Sequence, residues 1–143
     1  MNAPHDASAA TVPPWRTRLD RLVAARRATP FAWGVHDCCL WAADAVLMQT
    51  LRDPADDVRG RYSSAAEALR MLAQLGGLRA LGARAGEPIE PLQACEGDVG
   101  LIELEDRSLL AVLVGGVWTM PSQHGLAARP MNQACAAWRV ARG

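Results

Sequence analysis

The amino-acid sequence predicts an α+β domain in which N-terminal helices pack on a small antiparallel β-sheet. Apolar residues recur at helical spacing in the first half of the chain, whereas the second half carries short apolar runs separated by turn residues. The chain has 143 residues, of which 50% are hydrophobic, and this suits one domain with a buried core. Helices followed by strands are typical of the α+β class.

Two helices are predicted first. Pro13-Pro14 opens one of them, whose apolar residues recur at i, i+4, i+7 and i+8 from Trp15, and it should end before Pro30. Asp37 is a typical N-cap for the next helix, which continues to Met48 and is apolar nearly all round. A helix of that composition is expected in the centre of a domain.

A third helix and four strands follow. Ser64 and Glu67 form a capping box at the start of this helix, and Gly76-Gly77 ends it. Residues 82–91 are a Gly- and Pro-punctuated linker. The strands are predicted at Val99–Leu104, Leu109–Val114, Val117–Met120 and Trp138–Val140. The turn 105–107 should join the first two strands, and Gly115-Gly116 should form a tight hairpin between the second and the third. Residues 1–12 are small and polar and are predicted to be a flexible arm, so that the single domain occupies residues 13–143.

Composition and charge argue against several classes of function. The 15 basic and 15 acidic residues balance, and no basic patch interleaved with aromatic residues stands out, so nucleic-acid binding is not expected. The sequence shows neither an apolar stretch of membrane-spanning length nor a signal peptide, and the protein is expected to stay in the compartment where it is made. The 4 cysteines are irregularly placed and are expected to be reduced thiols.

The most informative stretch is the run from Trp33 to Trp41, which contains Cys38. This cysteine lies at the predicted first turn of a helix, where unpaired backbone N–H groups and the positive end of the helix dipole lower a thiol pKa. That environment is typical of a cysteine nucleophile. The alternative is a buried thiol that acts as a small apolar residue, and Asp37 is then simply a helix cap.

Two motifs carry a resemblance to a known family. The Trp33-Gly34 pair shortly before Asp37-Cys38, and the segment 97–102 that opens the first strand with Gly97-Asp98, resemble the papain-like cysteine peptidases of the NlpC type. More closely, the segment 30–38, with Arg59-Gly60-Arg61-Tyr62 downstream, resembles a small uncharacterised family encoded in phage and prophage tail modules. The resemblance extends over residues 15–140.

The resemblance implies a papain-like fold and a set of site residues. In NlpC-type enzymes a cysteine attacks a peptide carbonyl, commonly in bacterial cell-wall peptides, and a histidine at the start of the second strand is the base. Cys38 matches the nucleophile, but Leu109 stands at the histidine position, and Thr119 is the one polar residue near the third position. Two histidines are alternative bases: His124, in a predicted loop Pro121–His124 at the same sheet edge as Leu109, and His36, two residues before Cys38.

Three functions are therefore weighed. The first is a tail-tip or baseplate-associated virion or tail-assembly protein on a catalytically degenerate fold, with other tail-tip proteins as partners and assembly in the host bacterial cytoplasm. The second is an active cysteine endopeptidase that cleaves cell-wall peptides during entry. The third is a metal-bound structural module in which Cys95 and Cys135 join Cys38 or Cys39. Because the cysteines lack the paired spacing of zinc or iron–sulfur motifs, no metal and no cofactor are expected.

Overall fold

The computed structural model describes residues 11–142 and confirms the α+β class, with helices before an antiparallel sheet. The helices of this part of the chain are α1 (Pro14–Arg26), α2 (Cys38–Thr50), α3 (Ala65–Leu75) and α4 (Leu78–Gly82). The strands are β1 (Gly86–Ile89), β2 (Val99–Glu103), β3 (Ser108–Val114), β4 (Val117–Ser122), β5 (Gly125–Arg129) and β6 (Ala134–Val140). Most of the predicted arm, residues 1–10, lies outside the described residues.

The predicted helix caps are confirmed. Asp37 caps α2 and accepts the backbone N–H of Leu40 at 2.9 Å. Ser64 caps α3, where its hydroxyl accepts the N–H of Glu67 at 3.2 Å, and Gly76 ends the helix in the left-handed conformation. The returning bond of the capping box goes to Ser63, whose N–H donates to the Glu67 carboxylate at 2.9 Å.

The six strands form one antiparallel sheet in the order β1-β6-β2-β3-β4-β5. The two predicted hairpins are confirmed: β2 pairs with β3, and β3 pairs with β4 across Gly115-Gly116. Both of these glycines have positive φ, which is the geometry of a two-residue hairpin turn. No helix in residues 11–142 has the length and apolar character that crossing a membrane requires.

Two sequence predictions are wrong at the outer strands of the sheet. The predicted linker 82–91 contains a 3₁₀ turn and β1, and the predicted loop Pro121–His124 is the end of β4 followed by a turn into β5. Both β1 and β5 lie at the sheet edges, and each pairs with a single strand. Edge positions accept residues such as Pro88 and Gly125, whose presence obscures the strand pattern in the sequence. The last strand is also longer than predicted and begins at Ala134.

Both faces of the central strands are buried. Leu101, Leu110 and Val112 face α1 and α2, where they pack with Leu19 and Trp41. The alternate residues, which include Ile102, Leu109, Ala111 and Met120, form a second cluster on the opposite face. This alternation follows from the two-residue period of strands, and Cys38 at the start of α2 packs against the second cluster.

Candidate functional site

A cleft of about 720 Å³ opens where β3 and β4 separate. The two strands pair only from Val112↔Thr119 to Val114↔Val117. Continued in the same register, Ala111 would lie opposite Met120 and Leu110 opposite Pro121, which has no N–H to donate to a ladder. The volume lies within the range of about 300 to 1,000 Å³ that is usual for ligand pockets, so this cleft is the candidate functional site.

The cleft brings together three residues singled out in the sequence. Cys38 lines it from the start of α2, Leu109 from β3, and His124 from the turn between β4 and β5. The backbone N–H of His124 donates to the hydroxyl of Ser122 at 3.3 Å, and the residue is exposed. Leu109 is 9% exposed and belongs to the apolar cluster behind the cleft.

The Cys38 thiol lies in surroundings that favour its anion. Its pKa is lowered by the thiol hydrogen of Cys39 and by the backbone N–H of Leu110, against the opposing effects of burial and of the Asp37 carboxylate. The pKa of Cys39 is raised by its hydrogen bond to Cys38 and by burial. Of the two neighbouring cysteines, Cys38 is therefore the one that ionises more readily, and Cys39 packs in the helix-facing core.

Asp37 holds the segments on either side of Cys38 in place. Its carboxylate is 2% exposed and accepts hydrogen bonds from the N–H of Leu40, from the N–H of Gly34 at 2.9 Å, and from the hydroxyl of Tyr62. Burial and the bond to Asp37 raise the pKa of Tyr62, so the hydroxyl stays protonated and donates. Asp37 is thus a helix cap that also joins two loops. Its position before an apolar helix predicted the cap but not the bonds to the loops.

The loop before α2 fits closely against Tyr62. Gly34 has a φ of +77°, and a Cβ at this position would lie 2.1 Å from the carbonyl oxygen of Tyr62. Ala32 and His36 form an isolated antiparallel bridge within the same loop. In the sequence, the segment Arg59-Gly60-Arg61-Tyr62 was part of the family resemblance. No contact between this segment and Gly34 was predicted from it.

His36 lies on the other side of the loop, away from the cleft lining. Its ring is fully buried, its Nδ1 lies 3.4 Å from Nη1 of Arg26, and it meets the indole of Trp41 edge-on at 5.9 Å. Its Nε2 has no hydrogen-bond partner among residues 11–142. Burial and the charge of Arg26 lower the pKa of His36 against the opposing charges of Asp44 and Asp37, so the folded protein favours the neutral ring.

An ion-pair network covers this buried side of α2. Asp44 pairs with Arg26 at 3.2 Å and with Arg59 at 2.7 Å, and Arg59 also pairs with Asp53 at 2.7 Å. The hydrogen bond from Arg59 lowers the pKa of Asp53. This network joins α1, α2 and residues 53–59, and so gives Arg59 an internal role.

Thr119 faces the helices and is not part of the cleft lining. Its hydroxyl donates to the carbonyl of Val112 at 2.8 Å, and the indole N–H of Trp41 reaches the Thr119 hydroxyl at 3.3 Å and its carbonyl at 3.1 Å. The residue expected near the third catalytic position therefore anchors Trp41 at the point where β3 and β4 part.

The remaining cysteines lie apart from the cleft lining. Cys95 Sγ is 3.8 Å from the carbonyl of Gln93, and Cys135 Sγ is 3.5 Å from the carbonyl of Leu101. Across residues 11–142, no group of three or more His, Cys, Asp or Glu side chains is arranged to hold a metal ion.

The described residues form an α+β domain in which a thiol at the start of a helix lines a ligand-sized cleft. The chain belongs to the family described as a domain of unknown function, DUF6950, whose family model matches residues 10–140. Neither a curated protein nor a solved structure matches the chain.

Proposed function

We propose that this protein is a tail-tip or baseplate-associated component of a phage or prophage, acting in the virion or in tail assembly, on a degenerate papain-like fold of the NlpC type. The order of a cysteine-bearing helix before an antiparallel sheet supports the fold assignment. So does the thiol of Cys38, which lies at the N-terminus of α2 and lines a cleft. The assignment to a tail rests on the resemblance of the motif around Cys38.

The observation that carries the degenerate assignment is the place of Leu109. This side chain lines the cleft with Cys38, at the position that the resemblance gives to the histidine base. A nucleophilic thiol needs a base within about 2.6 to 3.2 Å, and an isobutyl side chain cannot accept a proton. The cleft then serves to bind a peptide segment of a neighbouring tail protein or of the cell wall without cutting it.

The tail assignment is tested with the phage or prophage that encodes the chain. Tails are purified and probed for the protein, and the gene is deleted and then complemented with the wild type or with Cys38→Ala. We expect the protein in purified tails, defective particles after deletion, and rescue by both versions. Particles that lack the protein and stay fully infectious after deletion would overturn the proposal.

The alternative function is an active cysteine endopeptidase, and one observation favours it: His124 and Cys38 line the same cleft. In this reaction the Cys38 thiolate attacks the peptide carbonyl carbon, having given its proton to His124. The C–N bond breaks as His124 returns that proton to the leaving amine. Water then hydrolyses the thioester and releases the free acid.

The two functions differ in the release of new amino groups from purified peptidoglycan. The degenerate fold predicts no release above a Cys38→Ala control. The active enzyme predicts release that is lost in Cys38→Ala, strongly reduced in His124→Ala and retained in Cys135→Ala, a variant of an exposed thiol outside the cleft. Release with that pattern would replace the degenerate assignment with the endopeptidase.

A further inference from the structure

We propose that the cleft binds its peptide through a carboxylate group held between Arg107 and Arg129. This inference rests on the proposed role of the cleft in peptide binding and adds the chemistry of the ligand. Both arginines line the cleft. Arg107 lies in the turn between β2 and β3, and Arg129, the last residue of β5, pairs with Trp118 of β4.

The charge of the lining is of one sign. Arg107 and Arg129 line the cleft, and no Asp or Glu of residues 11–142 does so. Glu105 and Asp106 belong to the same turn as Arg107 but are not part of the lining. A cleft with cationic walls attracts an anion, and the planar guanidinium matches a carboxylate with two parallel hydrogen bonds.

The two arginines are available for such a ligand. Elsewhere Arg59, Arg84 and Arg139 are paired with carboxylates at 2.7 to 3.0 Å. Neither Arg107 nor Arg129 forms an ion pair within residues 11–142, and Arg129 reaches only the side-chain oxygen of Gln133 at 3.5 Å. Both side chains are on exposed residues, so they can turn toward a bound anion.

Apolar groups beside the arginines would receive the rest of the peptide. Phe31 and Trp33 meet edge-on at 4.7 Å in the cleft wall, and Trp33 remains 43% exposed. Leu109 of β3 and Met120 of β4 add further apolar side chains to the lining. A peptide that presents an apolar side chain next to a carboxylate would satisfy both parts of the lining.

The inference is tested by retention of N-acetyl tripeptide libraries on the immobilised full-length protein. Three libraries of otherwise uncharged residues are compared: free C-terminal acids, C-terminal amides, and amides that carry one glutamate. We expect at least one carboxylate library to be retained about tenfold more than the neutral amides, as for a charge-assisted hydrogen bond. The library retained identifies whether the carboxylate is terminal or in a side chain.

Variants of the arginines link the retention to the cleft. Arg107→Gln with Arg129→Gln should lower carboxylate retention to the level of the neutral amides, whereas Arg52→Gln, at an exposed arginine outside the lining, should leave it unchanged. Thermal melting confirms that each variant is folded. Equal retention of all three libraries would overturn the carboxylate inference alone. Retention of none would overturn it together with the peptide-binding role of the cleft.

Discussion

The Tyr62 hydroxyl donates a hydrogen bond to the Asp37 carboxylate and so joins two segments that are 25 residues apart. The same carboxylate caps the helix that begins with Cys38. The start of α2, and with it the Cys38 thiol, is therefore positioned from outside the helix as well as by its own backbone.

Tyr62→Phe should destabilise the protein by about 1 to 3 kcal/mol, because a buried carboxylate loses a hydrogen bond and cannot regain it from water. The free energy of unfolding in urea measures this loss. Asp37→Asn keeps an oxygen for the cap, and in that background Tyr62→Phe should cost clearly less. Losses that simply add in the double variant would contradict a direct coupling between the two side chains.

Gly34→Ala should destabilise more than Gly60→Ala. The two glycines have nearly the same φ, +77° and +78°, but a Cβ at Gly34 would meet the Tyr62 carbonyl oxygen at 2.1 Å. A Cβ at Gly60 would have no atom of residues 11–142 within 4 Å. Both variants bear the left-handed penalty of about 1 to 2 kcal/mol, and Gly34→Ala should lose about 1 to 3 kcal/mol more through steric overlap. Equal losses in urea unfolding would show that the close contact with Tyr62 does not matter.

The Cys38 thiol should be alkylated by iodoacetamide with a pH midpoint below that of a free cysteine, about 8.5. Cys39→Ala removes the thiol hydrogen that stabilises the anion and should move the midpoint upward. Cys39→Ser keeps a donor at the same place and should move it less. Mass spectrometry that follows Cys38 alone gives the rates, with exposed Cys95 as the internal reference. Identical midpoints for the Ala and Ser variants would exclude the proposed donation.

Acidification from pH 7.5 to 5.5 should weaken the fold through His36. Burial and Arg26 lower the pKa of His36 in the folded protein, so below its ordinary pKa of about 6.5 the unfolded chain takes up the proton and the folded protein resists it. Stability is then complete above that pH and declines as the pH falls, by up to about 1.4 kcal/mol per pH unit.

His36→Gln keeps an acceptor for Arg26 but does not titrate, and its stability should change less over the same pH range. The carboxyl groups with lowered pKa values, such as Asp53 and Glu67, are common to both proteins and titrate at lower pH. Urea unfolding at several pH values gives the comparison. If the free energy of unfolding depends on pH in the same way in the wild type and the variant, His36 is not the cause of the loss of stability.

Features set by near neighbours in the chain could be predicted from the sequence. Asp37 as an N-cap, Ser64 with Glu67, and the Gly115-Gly116 turn each depend on residues within about four positions, and all appear in the structure. Antiparallel connectivity also led to the expectation that His124 lies at the same edge as Leu109, and both residues line one cleft.

Features set by distant contacts could not be predicted. The bond between Tyr62 and Asp37 depends on how a loop folds over α2, and the outer strands β1 and β5 exist because a neighbouring strand offers a ladder. Among the candidate site residues, His36 shows this most clearly, because it precedes Cys38 by two residues in the sequence and yet does not line the cleft. Its ring nevertheless packs against Arg26 and Trp41, because the direction of the loop is decided by Gly34 and Asp37.

The bond from the Trp41 indole to Thr119 lies at the end of the paired part of β3 and β4. The fully buried Trp41 lies where the two strands separate, and Pro121 has no N–H to extend the ladder beyond this point. The strands therefore stay apart when the cleft is empty. The cleft is therefore preorganised. A ligand that enters it finds β3 and β4 already apart, and its affinity is not reduced by the cost of separating these strands.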